Sequence, residues 1–228
     1  MKPSDLRNLF EIAIPDGAQA DTTPLELGHI YMPSGHYKAI ALDRPLVVGD
    51  RGAGKSFWLK SLVDPSRRKL IGKVFDFPSL LSCEVKTGFD PSWVENDPTP
   101  RELATLIQDG AEPSDIWHTV MVQACLPDLI PLDIDTWSEK IKWVNAQSAT
   151  VAKQLRSKNS TLAVEGKILL IAFDGLDRLA NKWESTIELV RGLLQTQLDF
   201  SKYTHLRTKA FIRPDLLADP AVRRFPDA

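Results

Sequence analysis

The chain has 228 residues, 43% of them hydrophobic and 25% charged, which is enough to build one sizeable α/β domain with a buried core. Its formal net charge of -2 gives no global field toward nucleic acid, so nucleic-acid binding would need a local basic patch. Two distant cysteines, Cys83 and Cys125, exclude a disulfide framework and a CxxC metal site. No apolar stretch approaches the roughly 20 residues of a membrane span, and we expect a cytoplasmic protein that does not bind a membrane.

The first elements alternate between strand and helix. Residues 1–40 mix turn formers with short apolar pieces and are predicted to form an entry segment, followed by the main domain at 41–228. A short apolar run predicts a strand at 45–49. The next residues predict a helix at 56–63, stopped by an Asp-Pro pair, and a second strand at 70–77.

The middle of the chain is predicted to be mainly helical. Residues 78–100 are rich in Pro, Asp and Ser and are predicted to form a loop or an insertion on the surface. Helical periodicity then predicts three helices, at 101–108, at 114–126 with Ser114 as its N-cap, and at 136–158. Together these segments predict a helical insertion at about 78–160.

A buried central strand is predicted at 167–174, because its hydrophobic run is almost uninterrupted and ends in the carboxylate of Asp174. A helix at 183–200 and a last strand at 208–213 follow. The alternation of strands and helices predicts a mainly parallel sheet with right-handed crossovers, in which we count four strands.

One motif stands directly after the first strand and before the first helix of this domain. Residues 49–56, GDRGAGKS, match G-x-x-x-x-G-K-[ST] in full. Such glycines let backbone N–H groups turn inward toward phosphate oxygens, and the helix N-terminus adds its positive dipole end. Lys55 would reach the β- and γ-phosphates, and the Ser56 hydroxyl would bind Mg²⁺. The predicted nucleotide-binding residues are Gly49, Asp50, Arg51, Gly52, Ala53, Gly54, Lys55, Ser56 and Phe57.

Two carboxylates complete the predicted site. Asp174 ends a buried strand and is predicted to hold Mg²⁺ together with Ser56. A further acid normally polarises the attacking water and directly follows the first, but Gly175 occupies that position. Asp177 is the nearest candidate; the alternative is that it caps the following helix.

These motifs resemble those of a known family. The loop, together with the stretch IAFDGLDRL, resembles the STAND and AAA+ branch of P-loop ATPases, and DGLD is similar to the Walker B motif of NACHT domains. The resemblance covers about residues 40–215 and implies a P-loop NTPase three-layer sandwich that binds ATP and Mg²⁺. The resemblance implies that Asp174 and Asp177 correspond to the two acidic residues of that Walker B motif. Arg178 departs from the NACHT pattern, which has another acid there.

The same resemblance suggests roles for three arginines near the end of the sequence. Arg213, at the end of the last predicted strand, occupies the place of a sensor for the γ-phosphate, and the alternative is an ordinary surface arginine. The predicted catalytic set is therefore Lys55, Asp177 and Arg213. Arg223 and Arg224 could act on a neighbouring subunit, or could simply be a solvated pair.

Proteins of this branch normally have five parallel strands, so the four counted here predict a sheet that is incomplete at the C-terminus, as in a fragment or a split protein. Two functions are open: an ATPase that drives or gates a larger assembly, and a hydrolysis-poor switch whose oligomerisation controls a separate effector. The resemblance implies self-association or a partner effector protein, and a role in antiviral (anti-phage) defence. The absence of an N/T-K-x-D guanine signature favours ATP over GTP, and no acceptor-binding pattern favours a small-molecule kinase.

Overall fold

The computed structural model describes residues 35–90 and 97–223. The chain divides into two units, Met1–Gly35 and His36–Ala228, and all structural statements below concern the second. Most of the predicted entry segment therefore falls outside the described part of the chain, and so does Arg224.

Four strands and ten α-helices are found in the described residues. The strands are β1 (Leu46–Val48), β2 (Cys83–Phe89), β3 (Ile168–Phe173) and β4 (Leu206–Ile212). The helices are α1 (Tyr37–Ile40), α2 (Lys55–Val63), α3 (Pro65–Val74), α4 (Pro100–Gln108), α5 (Pro113–Cys125), α6 (Trp137–Ala146), α7 (Ser148–Glu165), α8 (Trp183–Phe200), α9 (Pro214–Ala218) and α10 (Pro220–Arg223). Short 3-10 helices lie at Pro78–Leu80 and Leu176–Arg178.

The strands form one sheet in the order β1-β4-β3-β2, and every pairing is parallel. Because all strands run the same way, their carboxyl ends meet at one edge of the sheet. The loop after β1 and the residues after β2, β3 and β4 therefore share this edge. The predicted α/β class with a parallel sheet flanked by helices is confirmed.

Helices cover both faces of the sheet. Leu169, Ile171 and Phe173 of β3 join the main core with α5 and α8. Side chains alternate along a strand, so Leu170 and Ala172 point to the opposite face, and both are fully buried there. Burial on both faces explains why β3 reads as a continuous hydrophobic run.

The second predicted strand, at 70–77, is wrong. Residues 70–74 belong to α3, which is separated from α2 by Asp64 alone, and residues 75–77 follow that helix. Asp64 caps α3 by accepting a hydrogen bond from the Arg67 N–H at 2.8 Å, and Pro65 occupies its first turn. An Asp-Pro pair that ends one helix thus begins another.

The predicted surface loop at 78–100 is also wrong in its central part, because it contains β2. This strand pairs with β3 along most of its length, from Cys83 beside Ile168 to Phe89 beside Phe173. Polar residues alternate with apolar ones in β2, and a glycine interrupts it, so the segment lacks the continuous apolar run of β3.

The single helix predicted at 136–158 is two helices, α6 and α7, which meet at Gln147. Thr136 and Glu139 form a capping box at the start of α6. The predicted N-cap of α5 is also wrong: Ser114 lies inside the first turn, and Glu112 precedes it without a side-chain cap.

The other helices and the last strand are confirmed, with β4 beginning two residues before its predicted start. After Pro214 the described chain forms only α9 and α10, and the sheet has four strands within the described ranges. The predicted count of four is thus correct, although one of the four strands is a different segment.

Lys209 of β4 fixes the residues that lead into β1. Its side chain is fully buried, and its ammonium group donates to the carbonyl oxygens of Ala41 at 2.9 Å and Arg44 at 2.5 Å. Burial lowers the pKa of Lys209 to about 8. These hydrogen bonds attach the residues just before β1 to β4 of the sheet.

Candidate functional site

The loop after β1 depends on its glycines. Gly52 and Gly54 have φ angles of 83° and 79°, a region that favours glycine. Gly49 lies so close to the end of its own loop that an added Cβ would be 3.3 Å from the Ala53 Cβ. Gly49 also donates its N–H to Ile212 of β4 at 3.1 Å, which anchors the loop to the sheet.

The start of α2 supplies backbone donors. The first helical hydrogen bond runs from the Trp58 N–H to the Gly54 carbonyl at 3.1 Å. The N–H groups of Lys55, Ser56 and Phe57 precede it and have no acceptor within the helix. Together with the helix dipole they form the type of surface that binds an anion.

Lys55 bends back over this loop. Its ammonium group donates to the carbonyl oxygens of Gly49 at 2.6 Å and Asp50 at 2.8 Å. An ammonium group has three donors, so one remains for an anion while the other two hold the loop. These bonds place a positive charge inside the curve of the loop.

Ser56 and Asp174 are brought together across 118 positions of sequence. The Ser56 hydroxyl donates to Asp174 Oδ2 at 2.5 Å. Asp174 is only 4% exposed and has no ion pair among the described residues. A buried carboxylate is normally paired with a cation or binds a metal, so this pair fits a hard cation with oxygen ligands.

A cavity of about 290 Å³ joins the loop to the carboxyl ends of the strands. Nine of its lining residues were predicted as site residues: Arg51, Gly52, Gly54, Lys55, Ser56, Phe57, Asp174, Asp177 and Arg213. Gly175 and Arg178 line it as well. Three other predicted residues, Gly49, Asp50 and Ala53, form the body of the loop behind it.

Asp177 and Arg213 bind each other. Arg213 Nη1 donates to Asp177 Oδ2 at 3.2 Å, while its Nε and Nη2 donate to the two oxygens of Asp215 at 3.0 and 2.7 Å. These hydrogen bonds, chiefly those to Asp215, raise the pKa of Arg213. Asp177 lies in the 3-10 helix Leu176–Arg178, and the N-cap of α8 is Lys182, so Asp177 does not cap that helix.

Sequence reasoning missed the end of β2. Gly88, Phe89 and Asp90 repeat the pattern of Ala172, Phe173 and Asp174, a strand that ends in Phe-Asp. Phe89 pairs with Phe173, and the Asp174 N–H donates to the Phe89 carbonyl at 3.0 Å. The repeated Phe-Asp ending could have identified the end of this strand, but the residues around it resemble a loop.

Asp97 lies near this strand end. It is 9% exposed, and burial raises its pKa to about 6, with a hydrogen bond from Thr87 acting in the opposite direction and the charge of Asp90 adding to the rise. Its Oδ2 has no hydrogen-bond partner among the described residues.

The donor set of the cavity fits a magnesium ion held with a polyphosphate. Mg²⁺ takes oxygen ligands, keeps several waters and uses only one or two carboxylates, with substrate phosphates completing the shell. Ser56 and Asp174 supply such oxygens. In the described parts of the chain no three His, Cys, Asp or Glu side chains are placed to hold a metal by themselves.

Fold and site define an α/β protein with a parallel sheet, in which a glycine-containing loop, a helix N-terminus and an acidic strand end surround one cavity. Comparison with protein-family models, with curated proteins and with solved structures finds no match for this chain. Among residues 35–90 and 97–223, no helix combines the length and apolar character needed to cross a membrane.

Proposed function

We propose that this chain is a P-loop NTPase module that binds ATP with Mg²⁺ and hydrolyses it, and so drives or gates a larger assembly. The observation that supports this most is the bond between Ser56 and Asp174, because it joins the loop to the acidic strand end at the mouth of one cavity. The choice of ATP and the link to an assembly rest on the motif resemblance.

In this proposal the amide groups at the start of α2 and the Lys55 ammonium bind the β- and γ-phosphates. Ser56 and Asp174 would hold Mg²⁺, which neutralises charge on the phosphates when bound. Arg213 lines the same cavity, where Asp177 and Asp215 orient its guanidinium group. Its remaining donor capacity would face the γ-phosphate.

The test is a titration of a fluorescent ATP analogue with the full chain, with and without Mg²⁺. Lys55→Ala should weaken binding by about 10- to 100-fold, because hydrogen bonds to charged groups contribute roughly 1.5–3 kcal/mol. Asp174→Asn should abolish the gain in affinity that Mg²⁺ gives the parent. Lys69→Ala, which removes an exposed lysine of α3, is the matched control and should bind like the parent. Equal affinity of Lys55→Ala and the parent would refute the proposal.

The second candidate is a nucleotide-dependent switch that hydrolyses ATP slowly and controls a separate effector by oligomerisation. Asp177, the acid predicted to activate water, has Oδ2 engaged with Arg213, and this favours the switch. A γ-phosphate that attracts Arg213 would release Asp177 and so change this side of the cavity. Steady-state phosphate release separates the candidates: turnover in the parent supports the ATPase, and negligible turnover with ATP-dependent oligomers supports the switch.

A further inference from the structure

The ends of β2 and β3 present two aspartates to one edge of the sheet. Phe89 pairs with Phe173, so Asp90 and Asp174 are the next residues on adjacent parallel strands. Adjacent strands lie about 4.8 Å apart. Asp90 is therefore a near neighbour of the carboxylate that bonds the loop.

A β-bulge determines the face on which Asp90 lies. Thr87 pairs with Ala172 but Phe89 pairs with Phe173, so Gly88 is an extra residue in β2. Trp117 of α5 contacts the rings of both phenylalanines, with centroid distances of 6.4 Å and 5.6 Å, which shows that the two rings point to the same face.

Because side chains alternate along each strand, Asp90 and Asp174 share the opposite face, the one that bonds Ser56 of α2. Without the extra residue, Phe89 and Asp90 would exchange faces. Gly88 is required for this arrangement, since an added Cβ would lie 2.3 Å from the Phe173 ring. Bulges of this kind often re-aim a side chain at an active site.

Asp97 provides an independent sign that a polar ligand belongs here. It takes a hydrogen bond from Thr87, which shares the face of Ala172, and the Asp90 charge acts on it. Its second oxygen is buried without a protein partner in the described chain. Buried carboxylate oxygens are normally hydrogen-bonded, so a water or substrate hydroxyl is the expected occupant beside this cluster.

We propose that Asp90 is a second acidic residue of the nucleotide site, which accepts a proton from the water that attacks the γ-phosphate. This inference rests on the proposed function. Asp90, Asp97 and Asp174 are not placed to bind one metal together, so Asp90 is assigned to the water and Asp174 to the cation. Asp177 instead orients Arg213.

The step is an ordinary hydrolysis. The water oxygen forms a bond to the γ-phosphorus as one of its protons passes to an Asp90 oxygen. The bond between the γ-phosphorus and the bridging oxygen breaks, and its electron pair stays on the β-phosphate. ADP and phosphate leave, and Asp90 returns the proton to solvent.

The test compares Asp90→Asn and Asp177→Asn with the parent, in the full chain, by Mg·ATP affinity and by single-turnover phosphate release. Asp90→Asn should keep the affinity within about threefold and lower hydrolysis by roughly 100-fold or more, the usual contribution of a general base. Asp177→Asn should lower hydrolysis much less. Asp133→Asn, at an exposed site between α5 and α6, is the matched control for loss of one carboxylate.

Asp90→Glu and Asp90→Gln form a second pair, which keeps the test valid if Asp90→Asn fails to fold. Their side chains have the same length and differ only in the carboxylate, so Glu should hydrolyse at least tenfold faster than Gln. Equal rates in this pair, or unchanged hydrolysis in Asp90→Asn, would overturn the inference. A parent that hydrolyses Mg·ATP while Asp90→Asn keeps its rate would overturn this inference alone. A parent that binds Mg·ATP without hydrolysing it would overturn the inference and the hydrolytic part of the proposed function, and a parent that does not bind would overturn both proposals.

Discussion

The two sides of the cavity are built in different ways. The loop side is contiguous: Gly49 to Ser56 fold around their own backbone, with Lys55 bonded to two carbonyl groups of the same segment. The acidic side is assembled from distant parts of the sequence, the residues after β3 and the residue after β4. The proposed addition to it, Asp90, follows β2, which pairs with β3. Local conformation determines the first side, whereas register and core packing determine the second.

Because the two sides are built differently, substitutions in the core and in the loop should have different effects. If the loop binds phosphate as proposed, a change beneath the sheet should disturb the acidic side and leave that binding intact. A change in the backbone of the loop should weaken binding without altering the core. The following variants test this separation, beginning with the largest expected effect.

Trp117→Ala should have the largest effect. Trp117 is fully buried, packs on the two phenylalanines and donates its Nε1–H to the Leu189 carbonyl at 2.7 Å. Its removal should cost about 3–5 kcal/mol in unfolding free energy, measured by urea denaturation. Trp183→Ala, at a tryptophan that is 47% exposed, should cost far less.

If the two sides are separable, Trp117→Ala should also lose hydrolysis to a greater extent than affinity for Mg·ATP, at temperatures where it remains folded. An equal loss of both would mean that the core beneath β2 and β3 supports the loop as well.

Gly88→Ala should have the next largest effect. The new methyl group would overlap the Phe173 ring, and such overpacking typically costs about 1–3 kcal/mol. The bulge should shift, and Asp90 should lose its position beside Asp174 while nucleotide affinity persists. The double variant Gly88→Ala/Phe173→Leu should recover part of the lost stability, because the smaller side chain leaves room for the methyl group. Additive losses would show that the ring is not the obstacle.

These same elements show how far sequence alone could reach. The loop could be predicted in full because its motif lies in eight adjacent residues with a strand before them and a helix after them. Asp174 could be predicted because β3 is buried on both faces and reads as one hydrophobic run. Lys55, Ser56, Asp177 and Arg213 were predicted for the site, and all four line its cavity.

Asp90 could not be predicted in this way. Glu84 and Lys86 give β2 the polarity of a loop, and Gly88 reads as a turn residue although it serves a close contact with Phe173. That contact exists only once β2 pairs with β3, and pairing between segments about 80 residues apart is a tertiary property. The strand prediction at 70–77 failed for the opposite reason. The local pattern of these residues fits a strand, but the Asp-Pro pair before them begins a helix that continues to Val74.

Gly52→Ala tests the loop side. Its φ of 83° should cost about 1–2 kcal/mol for any residue with a Cβ, although nothing lies within 4 Å of that position. Gly110→Ala is a matched control, since Gly110 has a φ of 80° and equally open surroundings but does not line the cavity.

Both variants should lose similar stability in urea denaturation, and only Gly52→Ala should weaken Mg·ATP binding. Similar nucleotide affinities in the two would show that the left-handed turn at Gly52 is not needed to present the amide groups of the loop.

Asp97→Asn should have the smallest effect on the site, and the size of its effect on stability depends on pH. Burial raises the pKa of Asp97 to about 6 in the folded chain, above its value in the unfolded chain, so folding favours the protonated form. The parent therefore has the full contribution of this group below about pH 4 and loses it as pH rises toward 6 and above. Asparagine does not titrate. Asp97→Asn should be more stable than the parent at pH 7.5 and should lose this advantage near pH 4. A difference that stays constant between these pH values would mean that Asp97 has the same pKa in the folded and unfolded chains, so that burial does not disfavour its ionised form.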